Sequence, residues 1–206
     1  MDTTIDDAVV FLKTKYEFEL LILYGSYAND LSNNESDIDI IGFANIPEFV
    51  HESEIINEHM LDAWIYPGKY IADIDKTIHI LPCKVLIDKY GKGNKLLCDI
   101  EKERKKRKVV LKGKEKEQMN SWIAKMIKRA RQDGSESDYR YNWLLYDFPE
   151  LYCNYLGIYY DGPIKTIKNI LRLDKEISLI YFELIGKEKN MEKVEELYKI
   201  LLSRSI

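Results

Sequence analysis

Residues 18–43 read FELLILYGSYANDLSNNESDIDIIGF, and this stretch decides the fold. Its first seven residues are apolar except for Glu19 and stop at Gly25-Ser26, the pattern of a strand covered on both faces and ended by a turn. A polar stretch rich in Asn, Ser and Asp follows, and then Asp37-Ile38-Asp39-Ile40-Ile41-Gly42-Phe43 predicts a second strand. Side chains alternate along a strand, so Asp37 and Asp39 are expected on one face, with Ile38 and Ile40 pointing from the other into a core.

Upstream, Ile5, Val9, Phe11 and Leu12 recur at roughly helical spacing behind Thr3 or Thr4, predicting a short amphipathic helix over 4–15. Downstream, a helix is expected over 48–58 and a third strand over 60–66, stopped by Pro67-Gly68. The expected order is helix, strand, strand, helix, strand. Lys84 to Asp88, followed by a Gly-containing turn, predicts one more short strand.

Residues 101–117 carry nine Lys or Arg and four Glu, a solvated helix face with a linker, and the domain boundary is placed there. Beyond it the apolar period becomes helical. Met119, Trp122, Ile123, Met126, Ile127 and Ala130 form one stripe, and Tyr141, Leu144, Leu145, Phe148, Tyr152 and Tyr155 form another, in which Pro149 predicts a kink or break. Gly162-Pro163 opens a further helix, and Asp174 and Asn190 are candidate caps for the last two. The expected fold class is α+β: a mixed-sheet domain over 1–115 and a C-terminal helical bundle over 116–206.

With 46% hydrophobic and 12% aromatic residues, the 206-residue chain can fill a core, which excludes disordered, collagen-like and disulfide-stapled classes. The net charge of −4 hides an uneven distribution. Residues 1–66 hold fourteen acidic side chains against Lys13 and Lys15, whereas 67–115 hold fourteen basic against seven acidic. The anionic first third disfavours nucleic acid as a partner. Cys83, Cys98 and Cys153 match no zinc spacing and are expected as buried thiols, and His51, His59 and His79 show no ligand spacing either. An acidic N-terminus and the lack of a long apolar run point to a cytoplasmic protein with no membrane partner.

The chemistry is concentrated in Gly25-Ser26, ten intervening residues, and Asp37-Ile38-Asp39. Two carboxylates side by side repel one another and ask for a cation. Magnesium suits them, because it prefers oxygen ligands and commonly takes one or two carboxylates together with substrate phosphates. Gly25-Ser26 ends a strand where backbone amides and a hydroxyl can hold a phosphate. Asp62 offers a third carboxylate from another strand, on the face opposite Leu61, Ala63 and Ile65.

The run LYGSYANDLSNNESDIDIIGF resembles the signature of the DNA polymerase beta-like nucleotidyltransferase superfamily, and looks most like the small bacterial, aminoglycoside-type enzymes. Gly25, Ser26, Asp37 and Asp39 match that signature, with Asp62 as the later carboxylate. The turn departs from it at Asn29-Asp30, where many relatives have Arg-Gly. The resemblance implies Mg2+-dependent (or Mn2+-dependent) transfer of a nucleoside monophosphate, most simply AMP from ATP or another NTP, to a hydroxyl of a small acceptor, an antibiotic-like polycation fitting the charge. It implies that Asp37, Asp39 and Asp62 form the catalytic set, with Asp37 and Asp39 binding the metal and Asp62 either binding metal or taking the acceptor proton, that Gly25, Ser26 and Lys165 bind nucleotide, and that residues 116–206 bind the acceptor. It leaves a homodimer open. The rival expectation is an antitoxin-like or regulatory module that nucleotidylates or binds a partner protein.

Overall fold

The computed structural model describes residues 3–29 and 32–204. The chain divides into two compact units, Met1–Arg104 and Lys105–Ile206. The first is a mixed five-stranded sheet with helices on both faces. Its elements run α1 (Thr3–Lys15), β1 (Phe18–Tyr24), α2 (Gly25–Ala28), β2 (Ile38–Ala44), β3 (Val50–Ile56), β4 (His59–Pro67), α3 (Ile74–Thr77), β5 (Lys84–Asp88) and α4 (Gly93–Arg107), which continues past Arg104. The strand order is β3-β4-β2-β1-β5. The β2–β4 pair is parallel and the other three pairs are antiparallel.

Alternation on β1 explains why this sheet is covered twice. Leu21 and Leu23 pack with Ile38, Ile40, Leu61, Ala63 and Ile65 against Ala8 and Leu12 of α1. Leu20 and Ile22 point the other way and join Ile41, Phe43 and Ile80 against Leu96 and Ile100 of α4. A strand buried on both faces has no polar side to show, hence its nearly continuous apolar run. Asp88 then starts α4, its two carboxylate oxygens accepting from the backbone N–H groups of Lys92 and Gly93, both at 2.8 Å.

The expected helix over 48–58 is instead β3. It lies at the sheet edge, paired along its whole length with β4 and joined to it by a two-residue turn at Asn57-Glu58, both with positive φ (49° and 71°). Most of its side chains are half-buried or exposed, so its apolar residues are too sparse to mark a period of two. Glu52 ties this edge back to the end of α1 through Lys15, 2.8 Å away, and through the hydroxyl of Tyr16, the next residue.

The second unit is helical: α5 (Gly113–Ala130), α6 (Ser135–Leu156), α7 (Pro163–Lys165), α8 (Lys175–Leu184) and α9 (Met191–Ser203). The boundary expected at residue 115 lies within α5. Ile123, Met126, Leu144, Phe148, Ile177, Tyr181, Leu197, Tyr198 and Leu201 share one core. Asp174 accepts from the N–H of Ile177, and Asn190 from the N–H of Lys193 at 3.0 Å, so both expected caps are present.

Pro149 does not break α6, which runs unbroken through it. A proline cannot donate to the carbonyl four residues earlier, here that of Leu145. The hydroxyl of Tyr181, reaching in from α8, donates to that oxygen instead at 3.0 Å. Tyr198 of α9 serves the neighbouring Leu144 carbonyl at 2.8 Å. The expectation of buried cysteines holds for Cys153, while Cys83 is half-buried and Cys98 exposed. Among the described residues no helix is long and apolar enough to cross a membrane.

Candidate active site

Three neighbouring strands bring three polar side chains into one row. The antiparallel register of β1 and β2 sets Tyr24 opposite Asp39, and the parallel register of β2 and β4 sets Asp39 beside Asp62. Paired residues share a face of the sheet. The flanking Leu23, Ile38, Ile40, Leu61 and Ala63 are buried on the opposite face, which leaves Tyr24, Asp39 and Asp62 half-buried on this one. Burial raises the Tyr24 hydroxyl well above the ordinary tyrosine range, and the negative charges of Asp39 and Asp62 and the phenol of Tyr66 raise it further. The Tyr24 hydroxyl therefore stays protonated beside the two carboxylates.

Gly25 follows directly, with φ +70°, opening the four-residue α2. A Cβ at this position would lie 1.9 Å from Oδ2 of Asp39, so only glycine leaves room for the carboxylate. Ser26 is half-buried in the same turn. Asn29 caps α2, and its side-chain oxygen is buried with no hydrogen-bond donor among the described residues. Asp30 lies outside those residues.

Asp37 precedes the first residue of β2 by one position and is exposed. The strand itself therefore carries Asp39, and Asp37 stands at its entrance. Asp62 has a partner that sequence reasoning missed: Nε2 of His51, on β3, lies 2.6 Å from its Oδ1. The two are eleven residues apart in sequence, on the neighbouring strands of one hairpin. Reading 50–56 as a strand would have put His51 on the face of Asp62 as its diagonal neighbour, since the hairpin register places His51 opposite Trp64 and Ser53 opposite Asp62. Lys165 belongs to the second unit, at the end of α7, where its ammonium sits 3.1 Å from the Asp161 carboxylate.

Among the described residues no group of three or more His, Cys, Asp or Glu side chains could hold a metal on protein ligands alone. Asp39 and Asp62 supply two adjacent hard oxygen donors, the number that Mg2+ takes when phosphate oxygens and water complete its octahedron. The donor set suits a metal that arrives with a phosphorylated substrate rather than one caged by the protein.

No protein-family model and no curated protein matches the chain. Solved structures do match, among them a nucleotidyltransferase-like protein from Exiguobacterium sibiricum, 14% identical, with a TM-score of 0.36 over 97% of this chain and 72% of that one.

Proposed function

We propose that the chain is a nucleotidyltransferase that moves a nucleoside monophosphate, AMP from ATP in the simplest case, onto a hydroxyl of a small acceptor. The observation that carries the reading is the in-register pairing of Asp39 with Asp62 beside the Gly25-Ser26 turn. The acceptor oxygen attacks the α-phosphorus, the bond to the bridging oxygen breaks, and pyrophosphate leaves with that electron pair. Asp39 and Asp62 would hold Mg2+ or Mn2+, with Asp37 at the entrance of β2 as the third carboxylate offered, and the ion when bound would offset charge on the triphosphate. Asp62 also takes the acceptor proton, and the backbone of Gly25 and the Ser26 hydroxyl orient the phosphate tail. The anionic first third favours a cationic acceptor over nucleic acid.

The test is pyrophosphate release from each NTP with a library of hydroxylated small molecules, with and without a chelator. Asp62→Asn should keep ATP–Mg2+ affinity within about tenfold while turnover falls at least about a hundredfold, the lower end for losing a general base. Unchanged turnover would remove Asp62 from the catalytic set.

A second reading, a regulatory module that nucleotidylates or binds a partner protein, draws on α6. Tyr139, Trp143 and Tyr146, at i, i+4 and i+7, line one helix face and are 67%, 39% and 71% exposed. Tyrosine and tryptophan concentrate at protein interfaces. Absence of turnover together with a stable complex drawn from lysate would favour it.

A further inference from the structure

A cavity of about 420 Å³ opens on the sheet face that carries Asp39 and Asp62, and the chemistry above leaves it unused. The β2–β4 register sets Ile41 beside Trp64 one step along that face from the two carboxylates, and Phe43 beside Tyr66 one step further. Tyr24, Ile41, Trp64 and Tyr66 wall the cavity, and Lys76 and His79 close it from the segment after β4. The volume is within the roughly 300–1,000 Å³ typical of small-molecule sites.

The rings are held in place before anything binds. Phe49 packs on Trp64 at 5.4 Å and on Tyr66 at 5.0 Å, with planes inclined by 31° and 32°. His51 lies against Trp64 at 4.7 Å and 35°, while also reaching Asp62. On the other side Tyr24 meets His79 edge-on at 5.5 Å. The Lys76 ammonium is drawn over the rings of Tyr66 and Tyr70 at 5.0 and 5.2 Å, leaving a cation at the wall. Trp64 stands on an inner strand, yet 38% of it is exposed. That exposed part of the indole is available at the cavity that Trp64 lines.

We propose that this cavity binds the base of the donor nucleotide, stacked against Trp64 and Tyr66. The inference rests on the nucleotidyltransferase reading and adds the residues that recognise the donor. Trp64 lies two residues beyond Asp62, roughly 7 Å along the strand, a gap that a ribose bridges when its phosphates lie at the carboxylate row. Every base offers a π-face, so the rings supply affinity, and the polar groups of Asp75 and Lys76 at the rim choose among bases.

Trp122→Phe/Trp143→Phe leaves Trp64 as the one remaining tryptophan of three, a fluorescent reporter in the full chain. ATP with Mg2+ and at least one free nucleoside should quench it, whereas inorganic tripolyphosphate should not. In the otherwise natural chain, Trp64→Ala should weaken ATP–Mg2+ and nucleoside binding by about tenfold or more, the loss of one stacking partner. KM for the NTP should rise more than kcat falls. Trp64→Phe should recover most of the affinity and Trp64→Leu, which stays apolar but has no π-face, should not. Equal nucleotide affinity in the wild type and Trp64→Ala, with turnover intact, overturns the base site and leaves the transferase reading standing. Quenching by tripolyphosphate but by no nucleoside also overturns it. Failure of the wild type to bind any nucleotide or nucleoside removes both.

Discussion

The carboxylate of Asp39 fills the space that a side chain on Gly25 would need, with Oδ2 only 1.9 Å from the Cβ position. The turn also holds Gly25 at φ +70°, which costs an L-residue roughly 1 kcal/mol or more. Gly25→Ala should therefore lower stability by at least about that amount and push Asp39 off its row. In an Asp39→Gly background the same change should cost only the backbone part. Denaturant melts of the four proteins in this cycle measure the coupling, and additivity would mean that the two groups do not compete for space.

Glu58 occupies the second position of the β3–β4 turn with φ +71°. Such two-residue turns prefer glycine there. Glu58→Gly should stabilise the protein by up to about 1 kcal/mol, and thermal unfolding checks it. A loss of stability would show that the Glu58 side chain offsets its own strain.

Tyr181 supplies the donor that Pro149 denies to the Leu145 carbonyl. Tyr181→Phe should cost about 1–3 kcal/mol, the range for orphaning a buried polar group. Pro149→Ala restores a backbone N–H at that place, so Tyr181→Phe should cost markedly less in its background. Equal costs in both would mean that Tyr181 stabilises by ring packing on Phe148, 5.1 Å away, and not through its hydroxyl.

Asp174 caps α8, accepts from the Tyr152 hydroxyl at 3.3 Å, and meets the guanidinium of Arg204. Burial raises its pKa, but Arg204, the Ile177 N–H and Tyr152 outweigh that and hold the carboxyl below its ordinary value. A carboxylate depressed by folding adds stability above its unfolded pKa, and that share disappears as pH falls through the folded value. Urea melts from neutral to acidic pH should show wild type and Asp174→Asn differing by about 1–3 kcal/mol near neutrality and converging in acid. A constant gap would place the loss in cap geometry alone.

The strands that build the candidate site were legible because burial on both faces gave β1 and β2 long apolar runs, and because Asp62 falls in phase on the open face of an alternating β4. The caps Asp174 and Asn190 were legible from side-chain chemistry alone. β3 was not, since an edge strand needs little apolar surface and its turn, Asn57-Glu58, lacks the glycine that usually announces a hairpin. Losing β3 concealed His51 and the aromatic ladder through Phe49, Trp64 and Tyr66, which exist only once β4 has a neighbour on its outer side. The passage of α6 through Pro149 was hidden for a related reason: its remedy lies 32 residues away, on another helix.

The two carboxylates of the row meet through a parallel pair whose strands are separated in sequence by the β3 hairpin arm. Parity therefore governs the chemistry. Sliding β4 by a single residue against β2 would bring Leu61 or Ala63 next to Asp39 and drive the Asp62 carboxylate in among Leu12, Ile38 and Ile40. An insertion or deletion inside β4 would upset that odd-even count, whereas the loop between Ala44 and Val50 can take up extra residues as slack, so it is the strand itself that is constrained by what Asp39 and Asp62 must face as firmly as by what the core must bury.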